Sequence, residues 1–245
     1  MKILLIQPSA WSPDGHANFD AIDELITPGT GDLALLPELA GASLPRADYL
    51  ERVRALAVSA GMAVAGGSHY DGAVNRGAVY DADGTLIAEY DKVHPYGVEL
   101  RSGTVAGRPN PGFELYGRRL RVLLCADVWY SASLTGFGDL DAVLVPAFSV
   151  TRWDSPAPAR ELWRHMCVAR AYEFMTYVAV SDWHHEATYH GHPCAGVSGL
   201  ADPCPEAPAS FFTGAPGASV SVHELDFDRL NAFRRDRADR GFGRP

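Results

Sequence analysis

The chain has 245 residues, of which 47% are hydrophobic and 21% charged. These are ordinary globular proportions, sufficient for a sizeable core and too apolar for a disordered chain. Asp plus Glu outnumber Lys plus Arg by 30 to 21, and the resulting net charge of −9 repels phosphate backbones, so nucleic acid is not an expected partner.

In chain order, Met1 leads directly into the strand-like KILLIQ of residues 2–7. No basic stretch precedes an apolar segment there, so no secretory leader is expected. Residues 18–26 read as a helix with Phe19, Ile22, Leu25 and Ile26 on one face. Residues 32–37 (DLALLP) form a strand halted by its proline. Asp48 is expected to cap a helix that runs through Ala60 and stops at Gly61, with a strand at residues 62–67. Residues 75–80 and 85–90 flank Asp83-Gly84, a strong hairpin signal. Residues 121–125 and 141–147 are apolar strands with a short helical stretch between them. Residues 159–175 carry the best helical pattern, with Leu162, Met166, Ala169 and Phe174 on its apolar face. Strands follow at residues 176–182, 195–200 and 219–225, the last two separated by a Pro/Gly-rich loop. Asp226 opens a charged helix, and Arg244 and Pro245 trail off. No apolar run approaches the ~18 residues of a membrane span, so no membrane partner is expected. With no repeat or linker, the simplest architecture is one domain over residues 1–245, mixed sheets covered by helices. Cys125, Cys167, Cys194 and Cys204 form no C-x-x-C pair and read as reduced thiols of a cytoplasmic protein.

Three polar residues stand where apolar strands end. Glu38 directly follows LALLP, where partial desolvation raises a carboxyl toward the range of a general base; the plain alternative is a solvated strand-end acid. Lys92 ends the hairpin strand in LIAEYDK, where a solvated edge lysine is the alternative. Cys125 ends RVLLC and leads into a helical stretch, a position that activates a thiol when a cation or helix start lies near; the alternative is an inert core cysteine. Together the three suit one site. A thiol nucleophile needs a base, for which Glu38 serves. The oxyanion it creates needs donors, for which Lys92 and the N–H of Ala126 serve.

These residues carry a family resemblance. LLPELAG around Glu38, EYDKVHPYG around Lys92, RVLLCADVWY around Cys125, LVPAF at residues 144–148, the helix WRHMCVARAYEF and the terminal LDFDRLNAFR resemble the nitrilase superfamily of carbon–nitrogen hydrolases over nearly the whole chain. The resemblance implies an α/β fold, a four-layer α-β-β-α sandwich with helices on both outer faces. It also implies a Glu38–Lys92–Cys125 triad, a thioester intermediate, a small amide or carbamoyl substrate and a homodimer or higher homo-oligomer. A second glutamate is common after the lysine loop. Glu99 is the nearest residue of that type, although spacing to Gly107 puts the family position on Leu100, so a one-residue shift is needed or the role is missing. Trp129 and Tyr130 follow the cysteine where amidase-like members differ, and line an apolar or aromatic substrate pocket or belong to the core. The typical Trp-Glu after a nitrilase cysteine is absent, which favours amide over nitrile hydrolysis.

The stretch WHHEATYHGHPC gathers His184, His185, His190, His192 and Cys194. These are zinc-ligand types, but their spacing matches no H-E-x-x-H or C-x-x-C pattern, so no metal is expected. By the resemblance the stretch lies near the site mouth, with His185 or His190 contacting substrate. PGTGD lacks the Lys-Ser/Thr of a phosphate loop and no G-x-G-x-x-G follows a strand, so no cofactor is expected. The competing readings are a scaffold that keeps the fold without activity, a nitrilase or acyl-transfer enzyme with the same triad, and a zinc hydrolase built on residues 184–194.

Overall fold

The computed structural model describes residues 1–215 and 217–243, so the expectation for Arg244 and Pro245 lies outside the described residues. The first half of the chain gives β1 (Lys2–Gln7), α1 (Gly15–Leu25), β2 (Leu33–Leu35), α2 (Arg46–Ala60), β3 (Ala63–Ala65), β4 (His69–Asp71), β5 (Val74–Tyr80), β6 (Leu86–Asp91) and the one-turn α3 (Val98–Arg101). The second half gives β7 (Phe113–Leu115), β8 (Arg118–Val122), β9 (Ala142–Pro146), α4 (Ala157–Phe174), β10 (Tyr177–Ser181), β11 (Thr188–Tyr189), β12 (His192–Pro193), β13 (Gly199–Ala201), β14 (Phe212–Gly214), β15 (Ser219–Glu224) and α5 (Phe227–Asp239).

The strands form two mixed sheets and a small hairpin. One sheet runs β15-β1-β2-β3-β5-β4, with β6 paired to β5; the other runs β14-β13-β10-β9-β8-β7; β11 and β12 pair alone. Each large sheet has a parallel centre, β1-β2-β3 in one and β8-β9-β10 in the other, flanked by antiparallel strands.

Alternation along the central strands builds the layers, because successive side chains point to opposite faces. Ile3 and Leu5 of β1, Leu144 of β9 and Ala179 of β10 join the core between the sheets. Their neighbours Leu4 and Ile6 pack with Phe19 of α1 and Tyr49 and Val53 of α2. On the other side Val143, Val145, Val178 and Val180 pack with Trp163, Cys167 and Ala171 of α4. Helix, sheet, sheet, helix is therefore the order of the layers. Strands covered on both faces read as continuous apolar runs, which is why residues 2–7 show no polar alternation.

Several elements differ from the sequence reading for local reasons. Helix α4 buries Trp163, Cys167, Ala171 and Phe174, while Leu162 is 43% exposed. Phe174 keeps its expected place in the apolar stripe, whereas Leu162, Met166 and Ala169 give way to Trp163, Cys167 and Ala171. Helix α2 starts at Arg46 behind Pro45, so Asp48 lies inside the first turn, where its carboxylate faces the positive helix end, and is not the cap. Gly61 does end it, in the left-handed conformation (φ 62°). Residues 195–198 are not strand: the N–H groups of Ala195 and Val197 go to Ser149 and the Asp182 carboxylate, and a ladder begins only at Gly199. No helix among the described residues is long and apolar enough to cross a membrane.

Candidate active site

The site lies beyond the carboxyl ends of the parallel strands, where α/β sheets usually place ligands. Strand β2 delivers Glu38 there. The chain leaves the sheet at Pro37, and the backbone of Glu38 is then held on both sides. Its N–H donates to the carbonyl of Ala147 (3.2 Å) and its carbonyl accepts the indole N–H of Trp183 (2.8 Å). Gly67, at φ +67°, permits this path: a Cβ there would sit 2.1 Å from the Pro37 carbonyl oxygen.

Lys92 is the residue after β6, and its side chain is 3% exposed. The solvated-edge alternative for Lys92 therefore does not describe it, nor does the solvated-acid alternative describe Glu38, which is 2% exposed. Lys92 Nζ donates to Glu38 Oε1 (2.7 Å) and to Glu99 Oε2 (2.5 Å). Asn75 of β5 donates its Nδ2 to both acids, at 2.9 Å to Glu38 Oε1 and 2.9 Å to Glu99 Oε1. Glu99 Oε2 also accepts the N–H of Tyr96 (2.9 Å). In the short α3 turn Glu99 faces inward, whereas Leu100 is 61% exposed.

Strand β8 stops at Val122, so Cys125 does not end it. Cys125 instead opens a single 3-10 turn, Cys125–Trp129, with φ +48°. A non-glycine residue in that region is uncommon and persists only where its surroundings impose it. Asp127, two positions on, imposes part of it. Its buried carboxylate accepts the N–H groups of Val93 (3.2 Å) and His94 (2.7 Å) and pairs with His94 Nδ1 (2.8 Å). The turn that carries the sulfur is thereby fastened to the loop that carries the ammonium.

Glu38, Lys92, Glu99 and Cys125 all border one cavity of about 1360 Å³. Burial pushes the Glu38 carboxyl up from 4.5 to about 7, against the pull of Lys92 and with the help of Glu99. Burial draws the Lys92 ammonium down, but Glu38, Cys125 and Glu99 outweigh it and hold it well above its ordinary value. Burial and the Glu38 charge hold the Cys125 thiol well above its ordinary value, opposed by Lys92 and a hydrogen bond from the backbone of Phe148. The thiol also hydrogen-bonds Glu38. Two carboxylates beside one ammonium would leave a buried negative charge, and a proton resident on Glu38 removes it. The arrangement thus holds a protonated thiol beside a carboxyl that exchanges its proton near neutral pH, with a fixed cation alongside.

Ala126, Trp129 and Tyr130 line the same cavity. Trp129 meets Trp163 edge-on (5.3 Å, 85°), and Tyr130 stacks on His94 (3.9 Å, 11°). A second ring group comes from Trp11, Phe148 and Tyr189, whose centroids are 5.2–5.7 Å apart. All five tryptophans of the chain gather here, Trp11, Trp129, Trp153 and Trp163 on the cavity and Trp183 on the Glu38 carbonyl.

The histidine stretch divides. Hairpin β11–β12 brings Tyr189, His190 and His192 to the large cavity. His185, expected to contact substrate, lines instead a separate cavity of about 240 Å³ with His184, Arg160 and Arg164. The cause is the anchoring of Trp183 on Glu38 and of the His184 N–H on Pro8 (2.9 Å), which turns the following residue away. Cys194 is buried, and among the described residues no three His, Cys, Asp or Glu side chains are grouped to hold a metal ion. Asn75, Asp127, Phe148 and Trp183 were not singled out in the sequence. Asn75 offered one signal, a carboxamide near the start of β5 whose side chain is fully buried.

A family model described as carbon-nitrogen hydrolase matches residues 5–203. The chain is 31% identical over 194 residues to the omega-amidase YafV of Escherichia coli (strain B / BL21-DE3), covering 73% of each. It is similar to a mutant of the amidase from Nesterenkonia sp. AN1 in which acrylamide has added to the active-site cysteine: 25% identity, 99% of this chain and 100% of that one, TM-score 0.73. The fold is shared with a CN-hydrolase superfamily protein from Xanthomonas campestris, at TM-score 0.80 and 21% identity over 100% of this chain and 97% of that one.

Proposed function

The chain belongs to the carbon–nitrogen hydrolase family, and from that premise we propose that it hydrolyses a non-peptide amide or carbamoyl C–N bond of a small molecule, with Cys125 as nucleophile, Glu38 as general base and Lys92 as oxyanion donor. The observation that carries this reading is the buried contact of Lys92 Nζ with Glu38 Oε1 (2.7 Å) on the cavity that Cys125 also borders.

In this reading the Cys125 proton passes to Glu38 as sulfur bonds to the carbonyl carbon. An ammonium has three N–H donors. Two of those on Lys92 are directed to Glu38 and Glu99, and the third serves the developing oxyanion, with the N–H of Ala126 as a second donor. The C–N bond then breaks. Nitrogen takes the proton from Glu38 and leaves as ammonia or an amine, and the acyl group remains on sulfur as a thioester. Glu38, now a carboxylate, accepts a proton from water as the water attacks. The C–S bond breaks and sulfur takes that proton back from Glu38, releasing the carboxylic acid and restoring the thiol and the carboxylate. Glu99 and Asn75 hold Lys92 and Glu38 in place throughout.

Intact-mass measurement during turnover of an amide panel tests this. An acyl adduct that maps to Cys125 and disappears in Cys125→Ala is the expected result. Absence of both adduct and turnover would leave the scaffold reading. Turnover retained by Cys125→Ser and lost to a chelator would select the zinc reading.

A further inference from the structure

The cavity is larger than a short linear amide requires. Pockets for drug-sized ligands hold roughly 300–1,000 Å³, and this one holds about 1360 Å³. Its walls carry two aromatic groups, Trp129 against Trp163 in one and Trp11, Phe148 and Tyr189 in the other. The Phe148 backbone hydrogen-bonds the Cys125 sulfur, so the second group begins at the nucleophile itself. At the mouth, Tyr96, Tyr130, Trp153 and Leu162 are between 43% and 72% exposed. Large side chains exposed together around one opening mark a surface that a ligand completes.

Charge adds a second restriction. Glu38, Glu99 and Lys92 satisfy one another at the buried end. The remaining charged side chains among the described lining residues are Arg101 and Arg152, joined by the imidazoles of His190 and His192. In a chain of net charge −9, the described residues that line this opening include no acid outside the Lys92 cluster.

We propose that the substrate's acyl portion is aromatic or comparably bulky and apolar, and that its far end is neutral or anionic rather than cationic. This rests on the hydrolase reading. The carbonyl carbon sits at Cys125, the ring between the two aromatic groups, and the far end among the cationic side chains of the mouth. Aromatic faces attract cations as well as rings, but Arg101 and Arg152 oppose a cation at the opening.

The test compares 3-phenylpropionamide with propionamide, and the para-carboxylate of the former with its para-aminomethyl derivative. Burial of the ring predicts a kcat/KM advantage on the order of 100-fold for the phenyl compound, carried mainly by KM. The carboxylate is expected to be turned over faster than the amine, with the gap closing at high salt. Trp153→Ala, at a half-exposed position on the mouth, narrows the phenyl advantage. Calorimetric binding of the same amides to Cys125→Ala gives the ranking without chemistry. Equal or better use of propionamide, together with equal binding, overturns the inference and leaves the hydrolase reading standing, as does preference for the amine. Failure of every amide to react or to leave an adduct on Cys125 overturns both.

Discussion

At neutral pH the Glu38 carboxyl stands near its midpoint, since burial carries it from 4.5 to about 7. Only the carboxylate accepts the thiol proton, so kcat/KM is expected to rise with pH through an apparent value of about 7 and then level off, because Lys92 and Cys125 are both displaced upward. Between 4.5 and 7 the folded chain keeps a proton that the unfolded chain has lost, so this group's contribution to stability falls as pH rises through that window. Asn75→Ala removes a donor from both carboxylates and is expected to move the rising limb upward by about one pH unit, read from a kcat/KM profile. Lys92→Ala is expected to cut turnover by about 10²–10³; near-normal turnover would end the oxyanion assignment. Glu38, Lys92 and Cys125 were legible because each is a reactive side chain beside an apolar run. Asn75 was not: its two acceptors lie far along the chain, and a lone carboxamide carries no spacing that announces them.

The connections between elements decide where those side chains point. Gly67→Ala forces a left-handed φ on alanine and drives its Cβ into the Pro37 carbonyl, one residue before Glu38. A loss of about 3 kcal/mol is expected, seen as a Tm lowered by roughly 6–12 °C, with a fall in turnover larger than unfolding alone explains. The Cys125 turn shows what a sequence pattern withholds. Apolar periodicity extends the strand to residue 125, whereas hydrogen bonding ends β8 at Val122, and the positive φ follows from tertiary clamps such as Asp127. Helix α4 carries the same lesson. Its length was readable, but with apolar residues on several faces the choice between the Leu162 and Trp163 stripes was made by the sheet beneath it. The division of the histidines was likewise hidden, because hairpin β11–β12 and not residue spacing sets which ring meets which cavity.

Across the whole molecule, the layering follows from alternation along strands buried on both faces, so the fold class was readable from apolar runs such as residues 2–7 and 141–147. Strand order was not. The pairing of β15 beside β1, and of short β4 and β14 at the sheet edges, depends on contacts that no local pattern encodes. The collection of every indole around one opening gives the protein a built-in optical readout. Its tryptophan emission, selected by exciting beyond the tyrosine band, comes wholly from residues that border the cavity or touch the backbone of Glu38. Titrating an amide into Cys125→Ala should therefore change the tryptophan emission intensity or wavelength saturably, and no distant indole dilutes the signal. Unlabelled enzyme then suffices to rank ligands before any product has been identified.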